Sequence, residues 1–393
     1  MGVSKEFDPV LIVGAGPVGL TLAWRLHEAG VPVQVFEAEP EISDQLRAST
    51  FHPPTLDLFD PSGITDILIA KGRITPTWQI RMLERRERAE FDLSVLADET
   101  GHPYRLQCRQ AELSRALLDR LADGVVHFAS PVLHVEQDEQ GVSARVRHKE
   151  IRGSYLVGCD GARSIVRGAI GAAWEGGAYP EHTVLATTHF PFEKHIEGLS
   201  GVNYIWKSGG TFSLLRLPDV WRMSLHPREG QSPEAALQDE AIRGQIGEIL
   251  PQASDLEIVE KRIYKIHRRV ASQYREGRMF LAGDAAHLNS PKGGMGMNGG
   301  IHDAWALADL LTDVANGAPD LVLESYERKR RPIAKDDIVG QADKNRARMN
   351  ATDEAARLAH LSELQRIARD PVLARDFLRR SSMIEGLKRA EAL

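Results

Sequence analysis

Residues 8–40 read DPVLIVGAGPVGLTLAWRLHEAGVPVQVFEAEP, an apolar strand, a glycine-rich turn, a helix and a second strand in immediate succession. Leu11-Ile12-Val13 is the short strand, and Gly14, Gly16 and Gly19 form G-x-G-x-x-G. The helix carries Leu20, Leu22, Ala23 and Leu26 and is closed by Gly30, a residue type that caps helix C-termini. Val31 to Phe36 is the next strand, and it ends at Glu37, 23 residues after Gly14. The three glycines serve different ends. Gly14 permits a tight turn, Gly16 the close approach of a pyrophosphate, and Gly19 the close packing of helix on strand. The helix N-terminus offers unpaired N–H groups to phosphate, and Glu37 stands where a carboxylate takes ribose hydroxyls. An adenine dinucleotide site is predicted, and this fingerprint alone does not separate FAD from NAD.

Two further stretches narrow the choice. Residues 283–304 read GDAAHLNSPKGGMGMNGGIHDA, preceded by the apolar Met279-Phe280-Leu281-Ala282 and followed by a helical pattern in Ile301, Trp305, Leu307, Leu310 and Leu311. Strand, acidic turn, glycine-rich loop and helix again place free N–H groups beside a loop that lets backbone approach a flat or anionic ligand. Tyr155-Leu156-Val157-Gly158-Cys159-Asp160-Gly161 is an apolar strand ending in Asp-Gly, with Arg163 and Arg167 beyond it.

In order and spacing the three motifs resemble the single-component FAD-dependent aromatic hydroxylases, the flavoprotein monooxygenases of the para-hydroxybenzoate hydroxylase type, over about residues 8–345. The resemblance implies FAD as cofactor, held by Gly14, Gly16, Pro17, Gly19, Glu37, Ala38, Asp160 and Asp284, with the loop residues Pro291, Gly296, Met297 and Asn298 against the flavin. Arg47 matches an early arginine near the pyrophosphate and the flavin ring, Arg109 or Gln110 a helix-start contact, and Val132 a strand residue meeting the adenine. It further implies NADH or NADPH as a transient co-substrate, and hydroxylation of a phenol-, aniline- or heteroaromatic-type ring by dioxygen through a flavin C4a-hydroperoxide. Such chemistry needs positioning and exclusion of water more than covalent groups. Pro291 is then the motif residue nearest the reacting edge. Same-fold oxygenases that epoxidise or insert oxygen in the Baeyer–Villiger manner, and a non-catalytic flavin-binding regulator, stay open as alternatives. A flavin-dependent halogenase is disfavoured, because Trp206-Lys207 and Trp221 do not reproduce that group's Trp-x-Trp-x-Ile-Pro segment.

Bulk properties agree. With 393 residues, 42% of them hydrophobic, the chain can fill two cores. The net charge of -6 argues against a nucleic-acid partner. Arg328-Lys329-Arg330-Arg331, followed by Pro332, reads as a solvated helix end. No stretch reaches the ~18 apolar residues of a membrane span, and Met1-Gly2-Val3-Ser4-Lys5 leaves no room for a secretory core before the first strand. Cys108 and Cys159 offer no disulfide framework, no metal site and no redox pair, so a cytoplasmic protein without metal is expected. The lack of a second G-x-G-x-x-G argues against reductases that keep their nicotinamide bound. Dimers are common among similar enzymes; the sequence itself leaves the oligomeric state open.

The expected architecture is α/β: a Rossmann-like FAD-binding domain from 1–75, 101–180 and 265–345, interleaved with a smaller antiparallel-sheet substrate domain from 76–100 and 181–264, then C-terminal helices in 346–393. Strand-like runs lie at Thr183–Thr188, Val202–Trp206, Thr211–Arg216 and Val220–Leu225, with a hairpin turn at Gly209-Gly210. Ser232 to Leu250 reads as helical, and two charged helices are expected to meet near Asp370-Pro371. On Trp221–His226, alternation puts Arg222, Ser224 and His226 on one face. Arg222 is a candidate for binding a carboxylate or the flavin edge, with Arg216 as a second, and Tyr204 or His226 for taking a phenol proton. His52 follows the Arg47 segment toward the site. His287 is read as fixing its loop.

Overall fold

The computed structural model describes residues 7–45, 47–207, 210–349 and 353–393. Leu46, Gly209 of the expected hairpin turn and the Met1–Lys5 start lie outside the described residues. Val10–Val13 is the centre of a six-stranded sheet, flanked in parallel by Tyr155–Gly158 and Val33–Phe36, with Met279–Leu281 and Val126–His127 outside them and the antiparallel Arg275–Glu276 at one edge. All four residues of Val10–Val13 are buried, as expected for a strand covered on both faces. Gly14 follows with φ +104, and a Cβ there would lie 2.5 Å from the Cys159 carbonyl oxygen, so no other residue fits the turn.

The helix Pro17–Glu28 packs on this sheet and beside the 21-residue helix Met295–Ala315. Trp24, Phe59 and Trp305 meet between these layers with centroids 5.6–5.9 Å apart.

The second large sheet has eight strands, in the order His287–Leu288, Lys261–Ala271, Trp174–Thr188, Trp221–Leu225, Gly210–Arg216, Val202–Lys207, Thr77–Met82 and Glu87–Asp92. Pairing is antiparallel except between Val202–Lys207 and Thr77–Met82. One face buries Val184, Ala186, Trp221, Met223 and Leu225 under the helices Pro233–Ala236 and Asp239–Ile249. That helical region is therefore two helices rather than one, broken at Leu237-Gln238. The strands Trp174–Thr188 and Lys261–Ala271 run past the expected boundaries at 180 and 264, and their ladder shifts register between Ala178 and His182.

The C-terminal region also differs from expectation. Three helices form, Glu354–Arg369, Pro371–Ser381 and Ile384–Ala392. The break at Asp370 holds, because its carboxylate accepts from the amides of Val372 (2.9 Å) and Leu373 (3.1 Å) and caps the next helix. Phe377 stacks on Phe91 at 4.7 Å, and Phe91 on Trp78 at 4.6 Å, which fastens the helices to the end of the second sheet.

The basic run is not a solvated helix end. Pro332 lies inside the helix Glu324–Ile333, and Arg330 is 1% exposed with its Nε 2.7 Å from Asp303 Oδ1. The other oxygen of Asp303 accepts from the Gly283 amide (3.2 Å) and lies 2.8 Å from His287 Nε2. Arg330 and His287 hold the Asp303 carboxyl below its usual range against the opposing effect of burial. Asp303→Asn leaves Arg330 buried without its counter-charge. Loss of about 3–5 kcal/mol of stability is expected, measured by denaturant unfolding of the cofactor-free protein; an unfolding midpoint unchanged from wild type would show that the pair is not structural.

Candidate active site

Both sheets open onto one cavity of about 580 Å³. On the first-sheet side it is lined by Gly16, Pro17 and Val18, by Cys159, Asp160 and Gly161, and by Asp284. The helices Pro17–Glu28 and Met295–Ala315 both begin there, and neither has a side chain capping its N-terminus. Two sets of unsatisfied N–H groups thus converge on one space, a ready anion and carbonyl site.

Asp160 reaches the cavity by the turn after Tyr155–Gly158. Its Oδ2 accepts from the amides of Ile165 (2.8 Å) and Val166 (3.4 Å), while its buried Oδ1 has no partner. The residue lines the cavity, and a buried acceptor without a partner is one that a ligand hydroxyl could satisfy after a small side-chain shift. Gly16 has nothing within 4 Å of where a Cβ would stand, so its backbone faces open space on the ligand side. These features fit FAD: amides for the pyrophosphate, Asp160 and Asp284 for hydroxyls, and an open glycine where the ligand passes.

Glu37 does not line the cavity wall. Its Oε2 accepts from the Ala15 amide at 2.7 Å and its Oε1 from the Glu39 amide at 2.9 Å, which fixes the first glycine turn. Gln110 lines the cavity, whereas Arg109 donates to Glu260 at 2.6 Å, so Gln110 is the residue of the two that faces it. Gly14, Gly19, Ala38 and Val132 are not among the wall residues either, and Val132 opens a separate three-stranded sheet. Arg47, Pro291, Gly296 and Met297 do line it.

His52 requires correction, and the Asn298 side chain is engaged within the loop. Asn298 is fully buried and donates to the carbonyls of Thr50 (2.9 Å) and Gly294 (2.7 Å), while accepting from the His52 amide (3.0 Å). His52, also fully buried, has Nε2 2.8 Å from the Gly293 carbonyl. Burial, with the Arg105 charge, pushes its pKa down to about 3, so the ring is neutral. Nε2 then carries the proton and donates it, because a carbonyl only accepts. His52 is thus a staple between the 50–59 segment and the glycine-rich loop, not a catalytic group in the cavity. His287 likewise fixes its loop, through Asp303.

The second sheet supplies the opposite wall. Cross-strand pairing sets Tyr204, Ser213, Ser224, Leu185 and Arg262 side by side in one row, and every one of them lines the cavity. Arg222, His226 and Tyr264 flank that row on the same face. The alternation expected on Trp221–His226 is the one observed. Arg216 instead stacks on Trp221 at 5.5 Å, outside the cavity. Arg222 donates to the Arg47 carbonyl at 3.0 Å and so joins the two walls.

Burial pushes the Tyr264 phenol up to about 12, and the Lys292 ammonium down to about 8 with help from Arg346. It also lowers the His226 imidazole, again aided by Lys292. Tyr264, Arg262 and Lys292 escaped sequence reading. For the first two the available signal was the alternation along Lys261-Arg262-Ile263-Tyr264.

The FAD binding domain family matches residues 8–339. The chain belongs to that family. Para-nitrophenol 4-monooxygenase of Pseudomonas sp. (strain WBC-3) is 30% identical over 391 residues, covering 95% of both chains. The 6-hydroxy-3-succinoylpyridine 3-monooxygenase of Pseudomonas putida (strain DSM 28022 / S16) is 33% identical, with 82% of this chain and 84% of the relative covered. The crystal structure of p-nitrophenol 4-monooxygenase from Pseudomonas putida DLL-E4 superimposes with a TM-score of 0.90 at 29% identity, covering 97% and 98% of the two chains. The protein is an FAD-dependent monooxygenase of the single-component aromatic hydroxylase class. Among the described residues no His, Cys, Asp or Glu group could hold a metal, and no helix is long and apolar enough to cross a membrane.

Glu37→Ala removes two carboxylate–amide hydrogen bonds at the dinucleotide turn. FAD affinity is expected to fall by about 1–3 kcal/mol, roughly 5- to 150-fold, read by titrating the cofactor-free protein with FAD; an unaltered dissociation constant would place Glu37 outside the site.

Proposed function

We propose that this monooxygenase hydroxylates a phenol or hydroxylated heteroaromatic ring that binds as an anion, with NADH or NADPH visiting as reductant. One observation carries the reading: the cavity is lined by Arg47, Arg222, Arg262 and Lys292 as well as Arg163, and its two lining carboxylates, Asp160 and Asp284, stand on the cofactor side. The named substrates of the two relatives, a nitrophenol and a hydroxypyridine, are acidic ring hydroxyls of this sort.

FAD, when bound, supplies acceptance of hydride and activation of dioxygen. Gly16, Pro17, Gln110, Asp160 and Asp284 hold it, with Gly14, Gly19 and Glu37 setting the first glycine turn behind them, and Pro291, Gly296 and Met297 face its ring. The division is 1–75, 101–180 and 265–345 for the cofactor, 76–100 and 181–264 for the ring and 346–393 as cover, except that the strands Trp174–Thr188 and Lys261–Ala271 cross the limits at 180 and 264. Tyr204, Ser213 and Ser224 orient the ring. Tyr264, with its raised pKa, stays protonated and donates. His226, whose pKa burial lowers, is the group on this face able to take the proton of a ring hydroxyl that arrives neutral and so form that anion. The walls enclose the ring and keep bulk water from it. Placement in the cytoplasm belongs to the same proposal and is supported by two free thiols, Cys108 and Cys159.

The direct test is oxidation of NADH and NADPH by the holoenzyme with a panel of phenols, anilines and hydroxypyridines. Faster oxidation with an acidic phenol or hydroxypyridine, coupled to hydroxylated product, is expected; no acceleration and no product across the panel overturns the reading.

A pH dependence follows from Lys292. Its cation is present below about 8 and lost above it. Affinity for a phenol already ionised at neutral pH should therefore weaken as pH rises through 8, and Lys292→Met should flatten the profile while raising Kd at pH 7. Equilibrium binding followed through the flavin absorbance checks both.

A further inference from the structure

Behind Tyr204 lies a second, much smaller cavity of about 20 Å³, lined among others by Trp78, Arg105, Tyr204, Lys292, Phe377 and Ser381. Tyr204 and Lys292 line both cavities, so the small one is a pocket off the ring site. Its outer wall comes from the C-terminal helix Pro371–Ser381.

Arg105 is the group that needs explaining. It is 2% exposed, and its Nε and Nη1 are buried without hydrogen-bond partners. Its guanidinium lies 4.9 Å over the Trp78 ring and beside the Tyr204 side chain. Among the described residues no carboxylate lines this cavity, although Lys292 brings a second cation to it. An enclosed guanidinium with two idle donors and no counter-charge costs several kcal/mol. An anion placed against those donors removes that cost, and charge-assisted hydrogen bonds of this kind are strong.

We propose that this pocket is an anion-binding subsite, in which Arg105 takes a single anionic atom: one carboxylate oxygen carried by the aromatic substrate, or a free halide ion. The size agrees, since a volume of this order holds one water-sized atom. In the first case Arg105, Phe377 and Ser381 decide which substituted rings fit, and the subsite rests on the aromatic reading above. In the second it stands without it.

The test uses the FAD-loaded enzyme in chloride-free gluconate buffer. Dissociation constants for 4-hydroxybenzoate and 4-hydroxybenzamide are read from the flavin absorbance, and the melting temperature is followed as chloride replaces gluconate at constant ionic strength. The proposal expects one of two results. Either the carboxylate binds roughly tenfold or more tighter than its amide twin, the scale of a hydrogen bond to a charged group, or chloride raises the melting temperature and competes with the phenol. Arg105→Met should abolish whichever effect is seen, and Arg105→Lys should keep part of it. Where Arg105→Met does not fold, the Lys variant and the wild-type chloride titration decide. Wild-type twins that bind within about twofold with no chloride effect, or a preference that survives in Arg105→Met, overturn the subsite. Failure of every ring to perturb the flavin, with chloride stabilisation intact and lost in Arg105→Met, counts against the aromatic reading and for a free-anion site.

Discussion

The buried contact between Asp303 and Arg330 underlies the cofactor half of the molecule. Asp303 stands on the long helix Met295–Ala315 and reaches three places at once: the Gly283 amide, the His287 ring and the Arg330 guanidinium. One carboxylate thereby sets the acidic turn that carries Asp284, the loop that follows it, and the helix that packs beneath. An ion pair so enclosed is stabilising only when every lone pair and proton finds a partner. Here Arg330 also extends Nη2 toward the Gly299 carbonyl at 3.4 Å, and the Tyr326 hydroxyl donates to the Leu281 carbonyl at 2.7 Å. The glycine-rich loop is further clamped by His52 and Asn298, which tie it to the 50–59 segment.

With the loop held, the site is assembled from two surfaces of opposite chemistry. The parallel sheet delivers amides and carboxylates at the ends of its strands, the position that open α/β sheets reserve for ligands. The antiparallel sheet delivers side chains in cross-strand rows, so chemistry spread over residues 185–262 becomes contiguous. A cationic ring site then faces an acidic and amide-rich cofactor site, which suits a ring bearing negative charge beside a cofactor bearing phosphate.

The parts readable in sequence were those with local periodicity or a fixed motif. The two glycine turns, the Asp160 and Asp284 strand ends and the polar face of Trp221–His226 depend on residues near one another in the chain. What escaped depends on partners far away in sequence. Arg330 looks like one member of a basic run until Asp303, 27 positions earlier, is seen against it. His52 looks catalytic until the Gly293 carbonyl is found on its ring. Arg105 sits in a three-residue strand, Arg105–Gln107, with nothing local to separate it from a surface arginine. The third C-terminal helix was hidden because Met383 adopts φ +68 without a glycine to announce the turn.

The long ladder of Trp174–Thr188 on Lys261–Ala271 has a mechanical meaning. At one end it pairs through Arg269 and Val270 with His287–Leu288, directly after the acidic turn; at the other it carries Thr183, Leu185, Arg262 and Tyr264 of the ring wall. It is a beam spanning both halves of the site, and a beam bends where its rungs are irregular. That place is the register shift between Ala178 and His182. The rungs that tie the ring wall to the cofactor floor are thus interrupted at this one short stretch, and the strand's direction changes there.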